Sequence, residues 1–91
     1  MAGDIAVRVM VSGRVQGVWF RDACRNEAQL LGVTGWVRDR EDGRVEIAAE
    51  GSEHAVAALV SWARIGPARA EVDAIAVEYI EPTGAKTFVI R

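Results

Sequence analysis

The chain has one cysteine, one histidine and two prolines, and it lacks any long apolar run. A lone Cys24 can neither close an internal disulfide nor supply a cysteine cluster for a metal, which suits a reducing compartment. His54 stands in the first turn of a helical pattern with no catalytic partner near it in sequence, so it reads as a solvated residue rather than a general base. Both prolines fall in turn-like strings, Gly66-Pro67 and Pro82-Thr83-Gly84, and no linker, repeat or low-complexity tract divides the 91 residues. The start, Met1 to Val11, is broken by isolated charges such as Arg8 and reads as neither a signal peptide nor a membrane span. Neither sign of charge is in large excess: 11 basic against 13 acidic side chains leave a net charge of -2. That balance gives no global attraction to nucleic acid or to a membrane surface. These absences predict one domain over residues 1–91, a monomer in the cytoplasm with neither nucleic acid nor membrane as partner.

What is present is ordinary for a globular chain, with 51% apolar and 26% charged residues. From Ile5 to Ser12 the apolar Ile5, Val7, Val9 and Val11 alternate with other residues, the period of a strand with one buried face. The segment Gly13 to Val18 breaks that alternation. From Phe20 the period becomes helical, with Phe20, Ala23, Cys24, Ala28 and Leu31 on one stripe and Gly32 as C-terminal cap. Val33 to Arg38 and Arg44 to Glu50 flank Arg40-Glu41-Asp42-Gly43, a hairpin signal. In the second of these strands Val45, Ile47 and Ala49 point to one side and Arg44, Glu46 and Glu50 to the other, and Gly51 is expected to end it. Ser52 is a suitable N-cap for a second helix whose inward stripe is Val56, Leu59, Val60 and Ala63. Glu71 to Glu81 predicts a strand with a bulge between Val72 and Ile75, where its apolar phase slips. Lys86 to Arg91 predicts a short final strand. The order βαββαβ with a short extra C-terminal strand predicts an α+β, ferredoxin-like sandwich: an antiparallel sheet with two helices on one face. Such a fold hosts many activities and names none.

The most unusual stretch is Gly13-Arg14-Val15-Gln16-Gly17-Val18-Trp19-Phe20-Arg21, which leaves the first strand and enters the first helix. A loop at a helix N-terminus presents unpaired amides and partial positive charge to an anion, and glycines let the backbone come close. Arg21 adds a guanidinium fork suited to phosphate oxygens. A tight connection with Arg21 paired to a surface carboxylate is the other reading of the same spacing. The string lacks the Gly-Lys-Ser/Thr ending of a nucleotide loop and the spacing of a dinucleotide fingerprint.

The string GRVQGVWFR over residues 13–21 resembles the first motif of the acylphosphatase family, and Gly35-Trp36-Val37-Arg38, followed by Asp42-Gly43, resembles its second. The resemblance covers nearly the whole chain and implies hydrolysis of acyl phosphates, such as acetyl phosphate, carbamoyl phosphate or 1,3-bisphosphoglycerate, to a carboxylate and inorganic phosphate. It implies that the backbone of Val15, Gln16, Gly17, Val18, Trp19 and Phe20 cradles the phosphate. Arg21 would bind its oxygens and stabilise the transition state, and the residue after Gly-Trp-Val-Arg would hold the attacking water. No cofactor or metal is implied.

That last residue is asparagine in the family and Asp39 here. The only asparagine, Asn26, lies five residues beyond Arg21 on the helix and points elsewhere. A carboxylate accepts hydrogen bonds but does not donate, and it carries charge. At roughly 6 Å from one phosphate charge and an effective dielectric of about 20, the repulsion is on the order of 3 kcal/mol, about a hundredfold in binding. A catalytically impaired anion-binding module of the same fold is therefore the rival reading. A nucleic-acid-binding domain is a further rival, disfavoured because Glu46 and Glu50 alternate along the third strand. Trp36, Trp62 and Cys24 read as packing residues. Trp19, inside the loop, borders an acyl pocket or forms a structural lid.

Overall fold

The computed structural model describes residues 4–91. The expectations for residues 1–3, as the start of the domain and of the segment that is neither signal nor span, lie outside the described residues. Strands β1 (Asp4–Arg14), β2 (Thr34–Asp39), β3 (Val45–Ser52), β4 (Glu71–Ile80) and β5 (Phe88–Ile90) form one sheet in the order β4-β1-β3-β2-β5. Helices α1 (Phe20–Leu31) and α2 (Glu53–Ala63) complete the expected βαββαβ order. The first four strands pair antiparallel, and β5 joins the edge parallel to β2, so the extra strand makes the sheet mixed. Val7, Val9 and Val11 of β1 and Val45, Ile47 and Ala49 of β3 meet Phe20, Cys24 and Ala28 of α1 and Val56, Leu59 and Ala63 of α2 in one core. Among the described residues no helix is long and apolar enough to cross a membrane.

Local chemistry explains the element ends. Gly32, at φ 76, turns the chain out of α1 while the Val33 amide donates to the Ala28 carbonyl at 2.9 Å. Ser52 Oγ accepts from the Ala55 amide at 3.1 Å and caps α2. Three boundaries differ from the sequence reading. β1 runs on through Gly13 and Arg14, which pair with Val72 and Glu71 after a register shift between Ser12 and Gly13. The shift absorbs Asp73, so the bulge expected in the fourth strand is what allows the first to continue and delays the loop until after Arg14. Gly13 has φ 123 and lies so close to the backbone of Glu71 and Asp73 that no Cβ fits. Gly51 does not end β3, because β1 still supplies partners there: Ile5 faces Gly51 and Asp4 faces Ser52. The last strand is only Phe88–Ile90, matched to Gly35, Trp36 and Val37.

Glu46 and Glu50 do lie on the sheet face away from the helices, but both are buried there. Glu46 is held by Arg38 at 2.7 Å, Arg40 at 3.1 Å and Arg8 at 3.3 Å. Glu50 accepts from the amides of Thr83 at 2.9 Å and Gly84 at 3.0 Å and from the Thr83 hydroxyl, pinning the β4–β5 connection to the sheet. Burial pushes each carboxyl pKa up, but the hydrogen bonds outweigh it and hold both below the usual range. A depressed folded-state pKa contributes stability above the unfolded value, and that stability is lost as pH falls through the folded one. The urea midpoint therefore falls as pH is lowered from neutral through the carboxylate range, and Glu46→Gln weakens that dependence. Parallel urea titrations of the two proteins check this; equal slopes against pH would refute it.

Candidate active site

Residues 15–19 connect β1 to α1, and Val15 and Val18, with Phe20 at the helix start, anchor them in the core. Between the anchors Gly17 takes φ 74 and Trp19 φ 67, so the backbone folds back on itself before the helix begins. The Gln16 side-chain amide donates to the carbonyls of Arg40 at 2.8 Å and Arg44 at 3.0 Å, latching the loop to the β2–β3 hairpin. Turn and loop hydrogen bonds among the described residues include none donated by the amides of residues 15–20. Trp19 is the N-cap residue of α1 and supplies no side-chain cap. The loop and first helical turn thus offer free donors at the positive end of a helix.

Arg21 projects from the first turn of α1 and Asp39 from the end of β2. Arg21 Nε lies 3.4 Å from Asp39 Oδ2, with both side chains partly exposed. The other carboxylate oxygen, Asp39 Oδ1, is buried without a hydrogen-bond partner. Asp39 is held by its ladder pairing with Val45 and by a tight turn in which the Arg40 amide donates to the Arg44 carbonyl at 2.8 Å. Asp42 fastens that turn, accepting from the Arg44 guanidinium at 2.7 Å and from its amide at 3.1 Å. Those bonds, with a further one from Arg40, hold the Asp42 carboxyl well below the usual carboxylate range.

Arg21 and Asp39 face a cleft of about 240 Å³ whose other walls are Val15, Gly17, Trp19, Phe20 and Asp22. Every residue named from the sequence for this site belongs to the loop, its helix start or the facing strand end, though Gln16 and Val18 turn their side chains to the latch and the core. Asp22, which the sequence reading did not single out, also lines the cleft and lies 3.5 Å from Arg25. The pairing of Arg21 with a carboxylate, the other reading of the loop's spacing, is present in the structure, and its partner is Asp39. The latch was not foreseen: the acceptors of Gln16 are backbone carbonyls 24 and 28 residues away, and no local pattern marks them. Asn26 and His54 are exposed and off the cleft. Cys24 is buried, its thiol pushed up to about 12 by burial and, secondarily, by the charge of Glu27. Trp62 packs on Phe20 at 5.2 Å between ring centroids, and Trp36 lies under the guanidinium of Arg91 at 4.4 Å.

Residues 7–90 match the family model described as Acylphosphatase. An acylphosphatase of Anaeromyxobacter dehalogenans (strain 2CP-C) is 51% identical over 84 residues, which cover 92% of this chain and 90% of that protein. The solved structure of an acylphosphatase from Coxiella burnetii superposes with a TM-score of 0.94 at 36% identity, over 98% of this chain and 94% of that one. The crystal structure of acylphosphatase from Bacillus subtilis gives 0.93 at 40% identity, over 96% and 98%. With sequence and superposition in agreement over nearly the full length, the chain belongs to the acylphosphatase family.

Proposed function

We propose that the amides of Val15, Gln16, Gly17, Val18, Trp19 and Phe20, together with Arg21, hold the phosphoryl group of an acyl phosphate, and that Asp39 positions the attacking water. The chain is a hydrolase of carboxyl-phosphate anhydrides, releasing a carboxylate and inorganic phosphate. What supports the assignment of roles is the convergence of Arg21 and Asp39, from two different elements, on the cleft beside a loop of free amides.

The chemistry asks little of the protein. An acyl phosphate is already activated, and its carboxylate leaves without needing a proton. Water attacks phosphorus, the bond from phosphorus to the bridging oxygen breaks, and the water's surplus proton passes to phosphate or solvent. Fixed amides and a guanidinium stabilise the phosphoryl oxygens through the transition state. Asp39 Oδ1 is shut off from solvent, so Oδ2, on a partly exposed side chain beside Arg21, is the acceptor left to orient the water. As a carboxylate it cannot donate as the family's asparagine does, so turnover is slower than with the amide.

In this reading the loop and Arg21 supply the positive field that a metal gives in other phosphoryl-transfer sites. Hydrolysis of acetyl phosphate by the purified chain therefore proceeds at the same rate before and after EDTA treatment. A loss in EDTA that one added metal restores would overturn the metal-free assignment. The Arg21–Asp39 ion pair favours a second reading, a module that binds phosphate but turns over poorly. Phosphate binding without measurable hydrolysis in the same preparation would identify it. We further propose a monomeric single domain working in the cytoplasm, for which the buried free Cys24 is suited.

A further inference from the structure

We propose that Trp19 is the wall against which the acyl group lies, and that it makes the site favour aromatic and extended apolar acyl phosphates over acetyl phosphate. The inference rests on the assignment of the phosphoryl group to the loop amides and Arg21.

Among the described residues Trp19 is the one non-glycine residue with positive φ, at φ 67 and ψ 22. Glycine or asparagine fills such a position with little strain, whereas a bulky side chain there is a marked outlier. The fold gains no packing in return, since Trp19 is 71% exposed where tryptophan is ordinarily well covered. Its neighbours Val18 and Phe20 are both buried, so the backbone that carries the ring is fixed from either side. A strained, exposed and well-anchored indole that lines the same cleft as Arg21 and Asp39 is a surface for a ligand.

The chemistry of the substrate says which part meets it. The acyl carbon is one bridging oxygen from phosphorus, so a phosphoryl group seated on the loop leaves the acyl substituent at the cleft wall. A methyl group covers little of an indole face, while a phenyl ring stacks on it. Asp22 on the remaining rim disfavours acyl groups that carry further negative charge. A cleft of about 240 Å³ is below the drug-sized range of roughly 300–1,000 Å³, which fits a small substrate of this kind.

The test compares benzoyl phosphate with acetyl phosphate in wild type, Trp19→Asn, which tolerates the left-handed backbone, and Trp19→Phe, which keeps a ring. Intrinsic reactivity cancels between proteins, so the quantity read is the ratio of kcat/KM for the two substrates. It falls about tenfold in Trp19→Asn and stays within about threefold of wild type in Trp19→Phe. NMR titration with benzylphosphonate and methylphosphonate reads the same contact without turnover: wild type prefers the benzyl compound and Trp19→Asn loses that preference. An unchanged ratio and preference in Trp19→Asn, or equal losses for both members of each pair, overturns the proposal, the second outcome marking Trp19 as a backbone prop. If wild type hydrolyses neither substrate yet keeps a Trp19-dependent benzyl preference, the hydrolytic reading fails and this one stands. If it hydrolyses both with no Trp19-dependent selectivity, the hydrolytic reading stands and this one fails.

Discussion

Arg21→Ala lowers kcat/KM for any acyl phosphate by roughly a thousandfold or more and removes detectable binding of inorganic phosphate, while the protein remains folded. The size follows from the role: a guanidinium aimed at phosphoryl oxygens stabilises charge in the bound state and more so in the transition state, inside a cleft where few other cations are at hand. The mildness toward the fold follows from position. Arg21 lies on the exposed side of α1, whereas the buried stripe of that helix is Phe20, Cys24 and Ala28. Its ion-pair partner among the described residues is Asp39, at 3.4 Å and partly exposed, a pair worth at most about 1 kcal/mol after screening. Urea unfolding should thus give a midpoint close to wild type, and phosphate titration followed by NMR should show no saturable shift in the loop. Arg21→Lys, which keeps the charge but loses the fork, should recover only part of the activity. Retention of wild-type phosphate affinity in Arg21→Ala would remove the anion from the loop and with it the proposed mechanism.

Asp39→Asn raises kcat/KM at neutral pH by about ten- to a hundredfold, through two separable effects. The carboxylate occupies Arg21 in the free protein, and in the proposed complex it repels the phosphoryl group. Because that repulsion acts on ground state and transition state alike, removing it lowers KM. The amide also gives the water site a donor as well as an acceptor, which acts on kcat. A general base at this position demands the opposite outcome, a loss of activity in Asp39→Asn. Separate measurement of KM and kcat for the two proteins at neutral pH decides between them, and a kcat/KM in Asp39→Asn at or below that of wild type would sink the present account.

Much of the fold is legible in the chain because it is written in contiguous residues. Strict alternation in Ile5 to Val11, the stripe of Phe20, Cys24 and Ala28, the Asp42-Gly43 turn and the slip between Val72 and Ile75 each report a local period, and each became the expected element. The two motifs are short local strings, so the candidate loop, Arg21 and the Asp39 that stands where the family has asparagine can all be read from the residues alone.

Boundaries were less legible, because a strand ends where its partner ends: Gly13, Arg14 and Gly51 stay in the sheet because Val72, Glu71 and Ile5 are there to pair with them. The sequence by itself determined the order of elements and the family and marked the candidate loop, since periodicity and motif are properties of neighbouring residues. The tertiary structure alone decided that Arg21 and Asp39 meet, that Gln16 bolts the loop to the opposite hairpin, that Glu46 and Glu50 are buried under arginines and amides, and that Trp19 stands exposed over the cleft. Those four facts depend on contacts between groups that folding brings together from separate elements, and on burial, which no single segment carries.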